Sequence, residues 1–362
     1  MKDVATRGDG ISAPAERVAL RASQSLGSPG VEIINRPPPS SRSAWSSVAW
    51  TLFHVGVCGV AALAVAANLG RLGWGWELSS HFRVQYGALL ALAAVCYLAF
   101  GRRWRPALAA GLLSAVNLCL VVPVSSPPPL ARGRHALRLV ESNVYANNYE
   151  TSRVIDFVRA AKPDIFLAIE VNFRWAEALE ALQADFPYRR VVPAHHAHGL
   201  AIYSRVPLED VEELRLGDPN FSWAFRVRFT LDGERVTLFG AHPYSPINAH
   251  HLEDRNRQLA DLAALVRAEP GPTIVLGDLN VSPWSPYFQD FLTATRLIDS
   301  RRAFGIQATW PANAPPLGIP IDHCLVSREL AVNARMVGPR VGSDHLPIII
   351  DLSLAEPAPE AQ

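Results

Sequence analysis

The chain has 362 residues, 49% of them hydrophobic, and a formal net charge of +1. That length allows one or two domains with a large core. Residues 1–134 hold 13 of the 34 Lys and Arg but only 5 of the 33 Asp and Glu, which leaves a net charge of −7 on the remainder. The C-terminal region therefore has no overall field that would attract a polyanion.

The first 46 residues are rich in Ser, Pro, Gly and Arg and have little periodicity. The stretch NRPPPSSRS, at 35–43, is typical of a disordered chain. The segment is too long and too polar to be the front of a signal peptide. We predict a disordered arm over 1–46 and a short disordered tail over 356–362.

Three apolar segments follow the arm, at 48–69, 84–100 and 106–124. About 20 apolar residues span a bilayer. One alternative is a buried helical hairpin in a soluble protein, but three such segments in close succession favour membrane spans. Aromatic residues near the segment ends are typical of a membrane interface. We predict a membrane domain over 47–124 with three transmembrane helices, and the lipid bilayer as a partner.

Basic residues predict the orientation of these spans. The GRRWR loop at 101–105 and the N-terminal arm are both rich in Arg, whereas the loop between the first two segments has only Arg71 and Arg83. The positive-inside rule then places the arm in the cytoplasm and, after three spans, everything beyond Val124 outside. Two Arg residues within 125–134 weigh against this. We expect an integral membrane protein, in the inner membrane of a bacterial cell, with an extracytoplasmic C-terminal domain.

A Pro-rich linker is predicted over 125–134, and at about 3 Å per residue it reaches about 30 Å at most. The domain after it must therefore lie close to the membrane. Over 135–355 short apolar strands alternate with amphipathic helices, which predicts an α/β layered domain with the sheets inside. No internal repeat is present.

Polar side chains stand where the apolar runs of this domain stop. Because strand ends meet at one edge of a sheet, such residues together indicate a site. Singly, each has an ordinary structural explanation: a turn residue, a buried core histidine or a helix cap. A carboxylate after the buried run LAI is less usual, because it needs a cation or a donor. These residues are Asn143, Glu170, His242, Asp278, Asn280, Asp322, Asp344 and His345.

Their order along the chain, Asn, Glu, His, Asp-x-Asn, Asp, Ser-Asp-His, resembles the endonuclease/exonuclease/phosphatase superfamily. That is the fold of deoxyribonuclease I, abasic-site endonucleases, inositol phosphatases and neutral sphingomyelinases. GDLN (277–280), SDHLPI (343–348) and HGLAIYSRVPL (198–208) are the most specific pieces, and the resemblance covers about 137–354. It implies a four-layer α/β sandwich and divalent-metal-dependent hydrolysis of phosphoesters.

The resemblance also implies a metal centre. Glu170 would be the main metal ligand, with Asn143 beside it, and Asp344 would bind the metal or support its ligands. The expected ion is Mg²⁺, or Mn²⁺, since a hard cation prefers one or two carboxylates together with water and phosphate oxygens.

The remaining residues receive catalytic roles from the same resemblance. Asp322 would hold His345 in one tautomer, so that His345 contacts the phosphate or helps to activate water. Asp278 would orient or deprotonate the attacking water, and Asn280 would donate to a phosphate oxygen as charge builds. His242 would contact the phosphate or protonate the leaving group.

Two positions depart from the family pattern. Ile169 stands where Gln usually precedes the Glu, and Ser142 stands where Trp or Thr usually precedes the first Asn. These changes affect flanking support and leave the subfamily open. The resemblance implies a phosphoester substrate, either nucleic acid or a phospholipid headgroup. Tyr244 is expected either to approach the phosphate or to pack beside it.

Other classes of function fit less well. A sphingomyelinase-like or inositol-type phosphatase remains the alternative within the fold. A non-catalytic binding module is disfavoured because every polar position of the motif is filled. A Ser-His-Asp hydrolase is disfavoured because the sequence has no GxSxG motif. The oligomeric state stays open.

Overall fold

The computed structural model describes residues 41–121, 137–195, 197–217 and 223–356. The predicted linker at 125–134, most of the predicted N-terminal arm and nearly all of the predicted tail lie outside the described residues. The chain divides into two compact units, Met1–Gly56 and Val57–Gln362. The first contributes the N-terminal part of one helix, and every contact discussed below lies within the second.

Four α-helices precede the α/β domain. They are α1 (Ser41–Ala66), α2 (Trp74–Ser80), α3 (Arg83–Ala99) and α4 (Trp104–Val121), with a 3-10 helix over Ala67–Leu72 directly after α1. The short helix α2 lies in what the sequence predicted to be a plain loop between the first two spans. Its run WGWELSS has too few residues for helical periodicity to show.

Two helical stretches are long and apolar enough to cross a membrane, Ser47–Leu72 and Trp104–Val121. A third is present only if α2 and α3, which meet at a bend of 67°, form one span. The prediction of three spans thus becomes two or three candidates. Several of their leucines face outward, including Leu92, 60% exposed, and Leu112, 61% exposed. Such a surface is suited to lipid rather than to water.

Helices α3 and α4 pack tightly against each other at Gly87. A Cβ added to Gly87 would lie 2.6 Å from a methyl group of Leu118, so a larger residue there would require the Leu118 side chain to shift. The hydroxyl of Ser114 donates to the Gly87 carbonyl at 2.7 Å. Small residues and a hydroxyl at the contact are typical of helices that associate within lipid.

The α/β domain contains two six-stranded mixed sheets with helices on their outer faces, so the predicted α/β sandwich is confirmed. In spatial order, the first sheet holds β11 (Leu330–Val337), β12 (Ile348–Leu354), β1 (Leu137–Asn143), β2 (Ile165–Ile169), β4 (Leu200–Ser204) and β3 (Tyr188–Val192). The second holds β5 (Asp210–Arg215), β6 (Trp223–Leu231), β7 (Glu234–Ala241), β8 (Thr273–Asp278), β10 (Asp322–Val326) and β9 (Ile298–Asp299).

Three apolar layers hold this domain together. The inner faces of both sheets meet in one core, which includes Leu139, Leu167 and Leu276. Alternate residues of the first sheet face outward against α5 (Thr151–Ala161) and α6 (Phe173–Leu179). Those of the second sheet face α7 (Ala249–Ala268) and α8 (Pro286–Thr295). This alternation is the two-residue period of strands that are buried on both faces.

The sequence predicts the inner strands but misses β3, β5, β9 and β11. These four are the edge strands of the two sheets. An edge strand is covered by fewer neighbours and tolerates charge, as in DVEELR of β5 and YRRVV of β3, so the apolar run that identifies an inner strand is absent.

Candidate active site

Topology brings the predicted residues to one end of the sandwich. β1 runs parallel to β2, and β7 parallel to β8, so Asn143, Glu170, His242 and Asp278 all follow strands at the same end. β10 is antiparallel to β8, and its first residue, Asp322, lies directly opposite Asp278 in the ladder. β12 is antiparallel to β1, which brings Asp344 and His345, just before it, to that end too.

The close approach of β7 and β8 depends on Gly277. Its φ is +151°, and an added Cβ would lie 2.0 Å from the carbonyl oxygen of Ala241. Only glycine meets both conditions. The Gly of the GDLN motif therefore allows the turn of the backbone that places Asp278 at the end of its strand.

A buried acid–imidazole pair forms the first part of the site. His345 Nδ1 donates to the carboxylate of Asp322, at 2.9 Å to Oδ2. Burial by itself lowers the pKa of His345, but Asp322 and Asp278 outweigh it and raise this pKa to about 10. Burial likewise raises the pKa of Asp322, yet the charge of His345 brings it below its usual value. The pair is therefore an imidazolium held by a carboxylate.

Asp278 lies at the centre of the arrangement. Its Oδ2 is 3.6 Å from His345 Nε2 and 3.7 Å from His242 Nε2, and it accepts a hydrogen bond from Asn143 Nδ2 at 3.2 Å. Its Oδ1 accepts from the backbone N–H of Asn280 at 2.9 Å. Burial raises the pKa of Asp278 to about 7, against the opposing charge of His345. A carboxylate with such a pKa is a suitable general base.

Glu170 and Asn143 form the second part of the site. Asn143 Nδ2 donates to Glu170 Oε1 at 3.0 Å, and the backbone N–H of Ala146 donates to Oε2 at 2.9 Å. Asn143 Oδ1 accepts from the N–H of Tyr145 at 3.0 Å. In this arrangement Asn143 links the carboxylates of Glu170 and Asp278 through its amide nitrogen, and its oxygen faces backbone.

Glu170 and Asn280 adopt left-handed backbone conformations, with φ of 65° and 50°. Such values are uncommon for residues other than glycine, and they persist where the surrounding structure requires them. Asn280 Nδ2 uses one of its two hydrogens to donate to the carbonyl of Pro243 at 3.0 Å. This bond fixes the amide, and both residues line the same cavity.

His242 and Asp344 complete the predicted set. Burial lowers the pKa of His242 to about 4, so its imidazole is neutral near pH 7. Asp344 Oδ2 accepts from Trp310 Nε1 at 3.2 Å, and both residues line the cavity. The eight predicted residues thus lie together, and six of them line a cavity of about 680 Å³; Asn143 and Asp322 support those six from behind.

The side chains present suit a divalent cation. Ligand atoms of Asp278, Asp322 and His345 lie within 4.8 Å of one another. Part of that proximity is the Asp322–His345 hydrogen bond, and an imidazolium repels a cation. The oxygen-rich side, with Glu170 near Asp278, is a better match for Mg²⁺, which prefers carboxylate, water and phosphate oxygens.

Sequence reasoning missed three residues of this region. Ser343 Oγ donates to the Asn143 carbonyl at 2.7 Å and accepts from the N–H of His345 at 3.0 Å, which joins both ends of the motif. Trp310 orients Asp344. Glu141 is completely buried, and burial with nearby Asp322 raises its pKa well above the usual value. Glu141 lies two residues before Asn143 on β1 and is on the same face of the strand. That spacing could have identified Glu141 from the sequence as a neighbour of the site.

The structure shows where Ile169, which departs from the family pattern, and Tyr244 lie. Ile169 is fully buried in the core between the sheets, so no polar side chain supports Glu170 from that position. Tyr244 lines the cavity, and its ring packs against His198 and His251 at centroid distances of 5.4 and 5.2 Å. Tyr244 thus belongs to an aromatic wall beside the acidic groups.

Comparison with known proteins gives one family and a set of shared folds. The model of the Endonuclease/Exonuclease/phosphatase family matches residues 140–345. No curated protein sequence matches the chain.

Solved structures similar to the chain include truncated TDP2 from Caenorhabditis elegans, with 17% identity, a TM-score of 0.52, and coverage of 62% of this chain and 99% of that chain. D. rerio TDP2 complexed with a single-strand DNA product has 15% identity, a TM-score of 0.51 and coverage of 60% and 99%. The human Nocturnin catalytic domain with bound sulfate has 17% identity, a TM-score of 0.50 and coverage of 63% and 100%. At these identities the likeness concerns the fold.

Proposed function

The chain belongs to the endonuclease/exonuclease/phosphatase family, a family of phosphoester-hydrolysing enzymes, and we propose that it is a membrane-anchored phosphodiesterase that depends on a divalent cation. The observation that carries this proposal is the placement of Asp278 between a cationic and a neutral histidine, His345 and His242, with Glu170 held to it through Asn143. Two or three apolar helices before the α/β domain support the membrane anchor.

In the proposed mechanism, groups with different pKa values act as the general base and as hydrogen-bond donors to the phosphate. Asp278, with a pKa near 7, orients a water and accepts its proton. His345, protonated and held by Asp322, stabilises negative charge on the phosphate oxygens. Neutral His242 and the second amide hydrogen of Asn280 donate to the same oxygens.

Glu170 would hold the metal, with Asn143 positioning its carboxylate and Asp344 at the cavity wall. When bound, Mg²⁺ or Mn²⁺ supplies Lewis-acid polarisation of a phosphoryl oxygen. The partial match of the donor set to a hard cation supports this assignment.

The test uses the intact chain in detergent with bis-p-nitrophenyl phosphate as the substrate. We expect hydrolysis that needs Mg²⁺ or Mn²⁺ and stops with EDTA. Glu170→Gln and His345→Gln should each lower kcat/KM at least about 100-fold, because the first removes the carboxylate that would hold the metal and the second removes the cation that faces the phosphate. Controls are Glu234→Gln and His250→Gln, whose side chains are exposed outside the cavity. Metal-dependent turnover that persists in both site variants would show that the site is wrong.

A further inference from the structure

The cavity that contains the candidate site is closed on one side by α2, a segment from the membrane region. Trp74, Leu78 and Phe82 contribute apolar surface to it. The same cavity is lined by the carboxylates and imidazoles of the site, including Asp278 and His345. One face of the cavity is therefore apolar and the other acidic and hydrogen-bonding.

A buried ion pair holds α2 in this place. Glu77 on α2 and Arg255 on α7 have fully buried side chains, and Arg255 Nη2 lies 2.9 Å from Glu77 Oε1. Ser285 Oγ also donates to Glu77, at 2.7 Å. Arg255 Nη1 in turn donates to the carbonyl of Asn280 at 2.8 Å. Since an unpaired buried charge is strongly unfavourable, α2 is a fixed wall of the cavity and not a passing contact.

The α/β domain continues the apolar face. Trp74 Nε1 donates to the carbonyl of Pro246 at 2.6 Å, and the next residue, Ile247, is 65% exposed. Close to α2 in the chain, Leu72 is 68% and Trp76 43% exposed. The 3-10 helix before α2 continues directly from the candidate span α1, so this apolar rim lies where a bilayer would begin.

The cavity also lacks the groups that a nucleic acid requires. Among the described residues that line it there is no Lys or Arg; its only basic groups are histidines. Proteins that follow a nucleic-acid backbone use Lys and Arg to neutralise the phosphates on either side of the reacting one. A substrate with one phosphoester and an apolar group fits this lining better.

We propose that the substrate is a lipid phosphodiester that enters from the bilayer, with its alkyl chain against Trp74, Leu78 and Phe82 and its phosphate at Asp278 and His345. This inference rests on the proposed function and names its substrate class. It assigns α2 a role in substrate selection.

The test compares two substrates with the same leaving group, methyl p-nitrophenyl phosphate and dodecyl p-nitrophenyl phosphate, with the intact chain at one detergent concentration. Each methylene transferred from water to an apolar surface strengthens binding by a factor of about four. We expect kcat/KM to be at least about tenfold higher for the dodecyl ester. Leu78→Gln should reduce this ratio about tenfold, since a polar group replaces part of the apolar wall.

The matched control is Met336→Gln, an exposed apolar residue on the edge strand β11, which should leave the ratio unchanged. Ile247→Gln, at an exposed position that folding does not depend on, should reduce the ratio even if Leu78→Gln fails to fold.

Metal-dependent hydrolysis of both esters with a ratio near one would overturn the inference and leave the proposed function standing. The inference also fails if a single-stranded oligodeoxynucleotide is cleaved with a higher kcat/KM than the dodecyl ester. Hydrolysis of none of the three substrates would contradict the proposed function itself.

Discussion

At the scale of single residues, two histidines of the site have very different pKa values because their neighbours differ. His345 contacts Asp322 and faces Asp278, and these carboxylates raise its pKa to about 10 in spite of burial. Burial also acts on His242, but the nearby carboxylates offset it less, and the pKa of His242 falls to about 4. At neutral pH one imidazole is therefore a cation and the other is neutral. Two copies of one residue type thereby serve different roles in one cavity.

This separation predicts a pH dependence of stability. The pKa of His345 is higher in the folded protein, about 10, than the ordinary value of about 6.5. Its stabilising contribution is thus fully present below about pH 6.5 and is lost as pH rises through about 10. In EDTA-treated protein, the difference in unfolding free energy between wild type and His345→Gln should shrink between about pH 7 and pH 10. A difference that grows with pH would contradict the imidazolium assignment.

At the scale of secondary-structure elements, α2 connects the N-terminal apolar helices to the loop that carries Asn280. The Glu77–Arg255 ion pair is fully buried, whereas the Arg71–Asp290 pair nearby is more than half exposed on both sides. The two pairs have similar distances, 2.9 and 2.7 Å, so burial is their main difference. Removal of Arg255 leaves the buried Glu77 carboxylate with only His81 and Ser285 as partners, whereas water replaces a lost partner at the exposed pair.

We therefore expect Arg255→Met to lower the free energy of unfolding by about 1–3 kcal/mol, and Arg71→Met by at most about 1 kcal/mol. Urea unfolding in detergent, followed by tryptophan fluorescence, measures both. Replacement of Glu77 and Arg255 together by methionine should recover part of the loss, because both charges of the pair are then absent and His81 keeps its contact with Ser282. Equal effects of the two single variants would show that Glu77 is hydrated and that α2 is not fixed.

At the scale of the whole molecule, the start of α3 and the end of α4 meet the α/β domain. Val121 packs in one cluster with Trp284, Ile319 and Ile321, against Phe82 and Val84. The loop between the first two predicted spans and the C-terminal domain consequently lie at the same end of α3 and α4. An odd number of spans before the domain is required if this arrangement exists in a membrane. Three spans meet this requirement, and the bent α2–α3 pair is then counted as one of the three.

The proposed topology has a direct test with reporters fused to the C-terminus. The Arg distribution favours an extracytoplasmic domain, so we expect an alkaline phosphatase fusion to be active and a green fluorescent protein fusion, exported through the general secretory route, to be dark. The same reporters placed after Phe100 should give the opposite result. An active alkaline phosphatase after Phe100 together with a fluorescent C-terminal fusion would reverse the orientation.

The sequence by itself determined the inner architecture of this protein and predicted which residues lie together at one end of it. Apolar runs identified the inner strands, because a strand buried on both faces leaves no room for polar residues. The polar residues that end those runs, such as Asp278 in VLGDLN, named the site, because strand ends share one edge. Local patterns were sufficient for the inner strands, whereas the roles of the polar residues came from the resemblance of their order to a known family.

Only the tertiary structure decided how those residues act on one another. The charge states of His345 and His242, the buried Glu141 and the contact of Ser343 with Asn143 depend on neighbours far away in the chain. The edge strands could not be predicted from the sequence for a related reason: pairing with a neighbouring strand, and not their own composition, makes them strands. Above all, a short run between two apolar segments became a wall of the cavity, because Glu77 meets Arg255 across 178 positions of sequence. No local pattern encodes such a contact.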